Sequence, residues 1–522
     1  MADKPNVIML FVDDLGYGDL SCFNENSQIQ TPNIDSLAEH GIRFTDCHTT
    51  SALCTPSRYG LLTGRYNWRS TLKRGVLAGA AGPLIESGRS TLATLFKSQG
   101  YYTAAVGKWH LGLGWERKEP DLDYYGVSDE IREKTKDPQK KRQILDGFNI
   151  DFEKPIKVSP NDYGFDYFFG TAASLDQPPY VYIENRNALG IPDCTSGITP
   201  LDRHSAAEND QWQYGPAVSG YDHEAVIGDM HDKVLSIIEE HAQEPFFIYY
   251  PIHAVHGPLL PPEGFRGKSG LNNYADIVLY LDHLVGTMVD QLKKSGVYEN
   301  TLIAFISDNG CSGIADYPFL TSHGHNPSYV FRGKKSEIYE GGHRVPAVIS
   351  WPGHYDDGTT RSSMVCVSDM YATFARILGV RLQDNEAEDS FDLLPVMNND
   401  EEVRESVIHS SARGCFSIRT KEWKLELCPD AGTGAIMGNQ MEPTCTEDMP
   451  YQLYRLSDDI SEKINTAADH TQLCIDMTRD LLKIIDDGRS TKGERQPNAV
   501  VEKWQQVEDI LEMMEKMKRN LL

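Results

Sequence analysis

The sequence predicts an α/β fold, a sheet covered by helices on both faces, followed by a smaller C-terminal unit. Three observations point there. Short unbroken apolar runs at 6–12, 245–250 and 301–307 have strand length without polar alternation, the pattern of strands buried on both faces. Amphipathic helical spacing alternates with them to about residue 395. Beyond the acidic stretch MNNDEEVRES (397–406) the pattern changes to shorter β-like runs and two terminal helices. The expected division is therefore 1–395 and 396–522.

In chain order, NVIMLFV (6–12) runs into Asp13 and Asp14. TPNIDSLAEHG has Thr31 as N-cap, Pro32 in the first turn and Gly41 as the stop. CTPSRYGLLTG (54–64) reads as a helix start with Thr55 as cap and Pro56 in the first turn. Residues 115–220 lose periodicity and are rich in Pro, Tyr, Asp and Asn, which reads as long surface insertions of the kind that carry specificity. Residues 223–241 align Val226, Ile227, Met230, Val234, Ile237 and Ile238 on one helical face, and 274–294 do the same with Ile277, Val278, Leu281, Leu284, Val285, Met288 and Leu292. Strand 245–250 is followed by His253 and His256, and strand 301–307 by Asp308 and Asn309. CFSIRT and WKLELC are β-like, and helices are expected near 469–487 and 499–519. The last carries Val500, Trp504, Val507, Ile510, Leu511 and Met514 at helical spacing, a packing stripe.

Composition narrows the function. The chain has 522 residues, 40% hydrophobic and 24% charged, and its 50 basic and 76 acidic residues give a net charge of −26. That balance argues against a nucleic-acid partner and requires any anionic substrate to find a locally basic pocket. No apolar run is long enough for a membrane helix. The N-terminus MADKPNVIML shows no charged leader, apolar core and cleavage site. A cytoplasmic protein is expected, or a secreted or periplasmic one with its signal removed. Ten cysteines without a C-x-x-C pair suggest reduced thiols, with Cys428 and Cys445 the one pairing considered.

The polar residues at the strand ends suggest chemistry. Asp13, Asp14, Asp308 and Asn309 are hard oxygen donors suited to Ca²⁺ or Mg²⁺. A single Asp pair reads as a solvated loop; two such pairs at the ends of separate strands favour a metal, because adjacent carboxylates repel unless a cation lies between them. In GKWHLG (107–112), Lys108 and His110 would point to the same side of an extended chain and could hold an oxyanion together. Taken alone, the pair reads better as an exposed Lys and a packed His. Lys334 and Lys335 precede YEGGHRVP. His253 and His256 suit acid or anion-donor roles, and His325 in GHN suits substrate contact, each also readable as a structural histidine. Cys54 at a helix start could be an activated thiol, an odd neighbour for a hard cation.

CTPSRYGLLTGR resembles the sulfatase signature C-x-P-S-R-x-x-x-L-T-G. The resemblance runs on through NVIMLFVDDLGYGDLSCF, TPNIDSLAEHGIRFTDCH, YYTAAVGKWHLG, FIYYPIHAVHGPLLPPEGF, AFISDNG and YEGGHRVPAVISWPG, in order from residue 6 to about 395. The chain is thus similar to type I sulfatases of the alkaline-phosphatase superfamily, arylsulfatase and N-acetylgalactosamine-sulfatase-like. That resemblance implies a large mixed sheet between helices and a C-terminal domain with a short antiparallel sheet. It also implies that Cys54 is converted to Cα-formylglycine by a separate maturation enzyme. The hard oxygen of the aldehyde hydrate removes the oddity of a thiol beside calcium.

The implied roles follow position by position. Asp13, Asp14, Asp308, Asn309 and residue 54 bind Ca²⁺. Arg58 fixes the hydrate, His110 assists elimination of sulfate, and Lys108 binds the hydrate and a sulfate oxygen. Lys335, chosen over Lys334 by its spacing before YEGG, grips sulfate with His256, the general acid. Ser174 in AASLDQPPY corresponds to a sulfate-site serine, and His253 and His325 are further substrate contacts. The expected substrate is a sulfated small molecule or oligosaccharide of the glycosaminoglycan type, N-acetylgalactosamine sulfate among them. Rival readings are a phosphonate or phosphate ester hydrolase with the same nucleophile, a two-zinc phosphatase disfavoured by Asn309 where a His is expected, and a non-catalytic sulfated-glycan binder.

Overall fold

The computed structural model describes residues 4–119, 146–197, 212–355, 358–433, 445–499 and 504–521. Its centre is a ten-stranded sheet. In chain order the strands are β1 (Asn6–Val12), β2 (Gly41–Phe44), β4 (Tyr102–Lys108), β5 (Tyr167–Thr171), β6 (Ile183–Glu184), β7 (Asn187–Ala188), β10 (Phe246–Ile252), β11 (Thr301–Ser307), β12 (Ala347–Ser350) and β13 (Thr359–Arg361). Their spatial order is β13-β2-β12-β11-β1-β10-β4-β5-β6-β7. The five central strands, β11, β1, β10, β4 and β5, are mutually parallel. Antiparallel β12 on one side and β6 on the other make the sheet mixed. Two small ribbons pair β3 (Cys47–His48) with β14 (Val365–Cys366) and β8 (Cys194–Ser196) with β9 (Gly215–Ala217).

The unbroken apolar runs behave as strands covered on both faces. Along β1, Val7, Met9 and Phe11 enter one core while Ile8, Leu10 and Val12 enter another, the two-residue alternation of a pleated strand. The first core is closed by α2 (Cys54–Thr63), α3 (Leu92–Ser98) and α7 (Met370–Ile377); the second by α1 (Pro32–Glu39), α4 (Val226–Glu240) and α5 (Asn273–Lys294). The expected apolar faces of α4 and α5 are the buried ones.

Two expectations need correction. α2 begins at Cys54 with Leu53 in the N-cap position; Thr55 lies inside the helix and its hydroxyl accepts from Leu77 N–H at 3.3 Å. Residues 115–220 are not all surface insertion, because the run YFFGT becomes β5 and extends the main sheet through β6 and β7. Residues 120–145 and 198–211 lie outside the described residues. The ten cysteines, all among the described residues, are free thiols; the alternative Cys428–Cys445 bridge is not formed, and Cys445 Sγ lies 3.5 Å from Tyr451 O.

A second, four-stranded antiparallel sheet follows in the chain: β15 (Val407–Ser410), β16 (Phe416–Arg419), β17 (Trp423–Glu426) and β18 (Gln452–Arg455). One face packs on α8 (Thr471–Asp487) and α9 (Gln505–Leu521), where Val507 and Ile510 of the expected stripe are buried; Val500 lies outside the described residues. Where this sheet meets β3 and the loops of the first sheet lies a buried polar cluster. His48 Nε2 meets Asp46 Oδ1 at 2.9 Å, Arg419 Nη2 reaches the same oxygen at 2.9 Å, and the His343 and His409 rings stack 3.6 Å apart. His343 ends the short helix α6 (Glu340–His343). Burial of so many charged groups is tolerable only because they are paired across the boundary.

One buried histidine gives the helical layer a pH signature. His231 on α4 contacts Thr287 Oγ1 on α5 at 2.7 Å and Tyr250 OH on β10 at 3.3 Å, and burial lowers its pKa to about 4. The unfolded imidazole titrates near 6.5, so the unfolded chain takes up the proton first as pH falls. Stability from neutral His231 is present above about 6.5 and is lost toward 4, up to about 3 kcal/mol for this group. Melting temperatures measured from pH 7 to 4.5 should therefore fall less steeply in His231→Gln than in the wild type; equal slopes would place the acid sensitivity elsewhere.

Candidate active site

The parallel strands β11, β1, β10 and β4 end side by side, where α/β sheets collect their ligands. They present Asp308 and Asn309, Asp13 and Asp14, His253 and His256, and Lys108 and His110. The ladder continues one residue past the strands, with Asp308 N–H donating to Val12 O and Asp13 N–H to Ala254 O, both at 2.9 Å. The chain then turns sharply: Asp14 has φ +63° and His110 φ +54°, a left-handed conformation non-glycine residues adopt at a cost. Lys108 and His110 thus converge through a turn, not along an extended strand. Gly107 permits it, since a Cβ there would lie 2.2 Å from Pro251 O on the neighbouring strand.

Fully buried α2 brings Cys54 and Arg58, one turn apart, over these strand ends. Arg58 Nη2 is 2.7 Å from Asp308 Oδ2 and 3.6 Å from Asp13 Oδ1, and Nη1 donates to Lys108 O at 3.1 Å. Lys108 Nζ is 2.6 Å from Asp13 Oδ2. Lys335, from the loop before α6, has Nζ 2.7 Å from Asp14 Oδ1 and 2.8 Å from Oδ2. Three buried carboxylates thus face three buried cations.

These contacts set the protonation states. Burial alone would raise Asp13, but Lys108, His256 and Arg58 hold it well below the usual carboxylate range. Burial and the charge of Asp13 push Asp308 up to about 7. Burial raises the Cys54 thiol against the pull of Lys108 and Lys335. Burial, then Lys108 and Arg58, keep His110 neutral by lowering it well below its ordinary value. The His110 tautomer follows from its partners: Nε2–H donates to Leu77 O at 2.8 Å, so the Nδ1 lone pair faces Cys54 Sγ at 3.3 Å.

Two buried oxygens, Asp13 Oδ1 and Asn309 Oδ1, have no hydrogen-bond partner. Asn309 is oriented by its own amide, which donates to Asp14 Oδ1 at 2.8 Å and Gly310 O at 2.9 Å. One ligand atom each from Asp13, Cys54 and Asp308 lies within 4.8 Å of the others, as does the set Asp13, Asp14 and His256. Orphaned carboxylate and amide oxygens among buried carboxylates fit a hard divalent cation. Because the surrounding charges already balance, such an ion would leave the pocket net positive, the basic environment an anion needs in so acidic a chain.

Other expected residues surround this centre. His256 Nδ1–H donates to Gly257 O at 2.7 Å, leaving Nε2 directed toward Asp14 Oδ2 at 3.7 Å. His253 is held by Thr171 Oγ1 at 2.7 Å, its buried Nδ1 is unpartnered, and burial lowers its pKa to about 3. Ser174 is buried with an unpartnered hydroxyl. His325 is the exception: wholly buried, it meets Asp19 Oδ1 through Nε2 at 2.9 Å and accepts from Gln28 N–H at Nδ1 at 3.4 Å. With both nitrogens engaged by the protein it has none for a substrate.

Asp176 and Gln177 also border the site, although they belong to no motif of their own. The segment 172–177 begins where His110 N–H donates to Ala172 O at 3.0 Å, and it brings Asp176 Oδ1 to 4.0 Å from His256 Nδ1. Asp176 Oδ1 and Gln177 Oε1 are buried and lack hydrogen bonds. The only signal for them was their place beside Ser174 in AASLDQPPY.

The donor set predicts ion-linked stability. Ca²⁺ at about 100 times its dissociation constant should add about 2.7 kcal/mol to unfolding and raise the melting temperature, and chelation should reverse it. Asn309→Ala, which removes an orphaned donor, should shrink the shift. No shift with any divalent ion would contradict a cation site here.

The chain is similar to known proteins over most of its length. The Sulfatase family model matches residues 5–380. An N-acetylgalactosamine-6-O-sulfatase of Bacteroides thetaiotaomicron is 32% identical, the alignment covering 90% of this chain and 91% of that protein. Human arylsulfatase A is 30% identical over 89% of this chain and 84% of its own length. Among solved structures, a Bacteroides thetaiotaomicron protein described with that organism's metabolism of multiple glycosaminoglycans superposes with a TM-score of 0.77 at 30% identity, covering 92% of this chain and 99% of its own.

Proposed function

The chain belongs to the sulfatase family and is a sulfuric ester hydrolase, and from that premise we propose that it removes sulfate from O-sulfated saccharides of the glycosaminoglycan type, N-acetylgalactosamine 6-sulfate being the first candidate. Membership implies a formylglycine and a metal. We assign the formylglycine to Cys54 and the metal, Ca²⁺, to Asp13, Asp14, Asp308 and Asn309. The observation that carries the catalytic assignment is the pair of orphaned oxygens, Asp13 Oδ1 and Asn309 Oδ1, beside the Cys54, Arg58 and His110 set.

When present, formylglycine supplies a nucleophilic oxygen and the cation supplies charge stabilisation at sulfate. The chain's residues do the rest. His110 offers Nδ1 as proton acceptor to the group on residue 54, because Leu77 O already holds its Nε2 proton. Arg58 fixes Asp308 and Asp13 so that their oxygens remain turned toward the site. Lys108 and Lys335, paired with Asp13 and Asp14, place positive charge where sulfate oxygens become more negative. His256, as an imidazolium, donates its Nε2 proton to the departing alcohol oxygen while Gly257 O retains the proton on Nδ1.

A saccharide fits better than a plain aryl ester for a physical reason. Asp176 Oδ1, 4.0 Å from His256 Nδ1, and Ser174 Oγ and Gln177 Oε1 of the same segment are buried polar atoms without hydrogen bonds. Such atoms favour a leaving group rich in hydroxyls and penalise one that cannot pair with them.

Activity assays test both levels. Cys54→Ala should abolish turnover with the fold intact by circular dichroism. Lys108→Ala, His110→Ala and Lys335→Ala should each cost at least about 100-fold in kcat. N-acetylgalactosamine 6-sulfate should exceed aryl sulfate in kcat/KM, and aryl phosphate and phosphonate should be poorer still. Phosphonate as the best substrate would overturn the sulfatase assignment; aryl sulfate as the best would overturn the saccharide.

A further inference from the structure

The β16–β17 hairpin carries chemistry that the ester site does not use. In its register Ser417 faces Glu426, and Leu427 N–H donates to Phe416 O at 2.9 Å. One step further along, Cys415 stands opposite Cys428. A pair that follows a hydrogen-bonded one is non-hydrogen-bonded, with Cα atoms about 4.5 Å apart. That is within the span of a disulfide.

One guanidinium serves both sulfurs. Arg413 Nε lies 3.4 Å from Cys415 Sγ and Nη2 lies 3.3 Å from Cys428 Sγ. Asp430 anchors the guanidinium at 2.8 and 3.2 Å. Ser411 Oγ accepts from Cys415 N–H at 3.1 Å, closing the turn beneath. Access separates the two thiols. Cys428 is fully buried, whereas Cys415 is half-buried and lines a cleft of about 600 Å³ with Lys73, Arg74, Arg413 and Trp504. The Cys428 hydrogen bond and the Arg413 charge together outweigh burial and lower Cys415 to about 7, while burial and the Cys415 charge hold Cys428 well above the ordinary thiol value.

We propose that Cys415 and Cys428 are a redox-active thiol pair, separate from residue 54, in which Cys415 reacts with a hydroperoxide and Cys428 resolves the product to a disulfide. The Cys415 thiolate attacks the O–O bond; one oxygen bonds to sulfur as sulfenic acid and the other leaves as hydroxide or alkoxide, so sulfur is oxidised and the peroxide reduced. Cys428 then gives up its proton and attacks Cys415 Sγ. The S–S bond forms and the sulfenic oxygen departs as water. In total, two thiols and one hydroperoxide become one disulfide, one water, and a second water or an alcohol.

The position has reach. The turn between β15 and β16 supports the catalytic segments: Ser51 Oγ and Ala52 N–H donate to Ser410 O at 2.8 and 3.0 Å, and Ala412 N–H donates to Ser336 O at 3.0 Å, next to Lys335. A disulfide at Cys415 would cross-link the base of that turn.

The test is thiol mapping on the full-length protein. After brief exposure to hydrogen peroxide and alkylation, tryptic peptide mass spectrometry should find 414–419 joined to 425–455 through Cys415 and Cys428, with Cys445 in the second peptide and exposed Cys194 still alkylated. In the untreated protein the alkylation rate of Cys415 should have its pH midpoint near 7, below the ordinary thiol value of about 8.5. In Cys428→Ser the cross-link should vanish and dimedone should trap Cys415 sulfenic acid. A Cys428–Cys445 link, a midpoint at or above 8.5, or no dimedone adduct in Cys428→Ser would overturn the proposal.

Discussion

The organisation of this molecule turns on one electrostatic constraint: Asp13, Asp14 and Asp308 are buried together at the ends of adjacent parallel strands. Carboxylates so placed repel, and each loses its hydration. Arg58, Lys108 and Lys335 answer them from three separate parts of the chain, at 2.6 to 2.7 Å. Each answer demands a structural commitment. α2 must start at Cys54 for Arg58 to reach Asp308, β4 must turn through Gly107 and His110, and the loop before α6 must bring Lys335 in from the side. Two oxygens remain orphaned, so the cluster is complete as a protein network only in charge, not in hydrogen bonding. Those two oxygens are where a hard divalent cation would complete the cluster.

The same constraint explains the long-range architecture. Gly310 allows the Asn309 turn to press on α6, where a Cβ would lie 1.8 Å from Gly341 O. α6 in turn presents Glu340 to Arg419 and Lys424 of the second sheet and stacks His343 on His409. The four-stranded sheet therefore packs its polar side on the back of the catalytic loops and its apolar side on α8 and α9. It also touches them directly, through Ser410 to Ser51 and Ala52, and through Ala412 to Ser336.

The strands were readable because burial on both faces leaves an unmistakable run: 6–12 and 301–307 are β1 and β11 to the residue. The long helices were readable because α4 and α5 bury one stripe each. Short elements were not, since β6, β7 and β13 owe their existence to a neighbouring strand and carry no pattern of their own. The site residues Asp13, Asp14, Asp308 and Asn309 stood out as polar pairs ending apolar strands, and Cys54, Arg58, Lys108 and His110 lay in recognisable motifs. His325 misled because a histidine between small polar residues looks the same whether it faces a cleft or, as here, Asp19. Asp176 and Gln177 were missed for the converse reason: what marks them is the lack of a partner, and only the folded chain reveals that. Thr55 misled as a cap because Leu53, without a capping side chain, already stands in that position.

The central claim is that residue 54 acts as formylglycine within this charge cluster. The direct measurement is the mass of the tryptic peptide Phe44–Arg58, taken from a preparation that turns over a sulfate ester. Cys47 in the same peptide serves as the alkylation control. The account predicts an aldehyde at residue 54, alkylation at Cys47 alone, and turnover proportional to the aldehyde fraction. Full alkylation of both cysteines in an active preparation would contradict it.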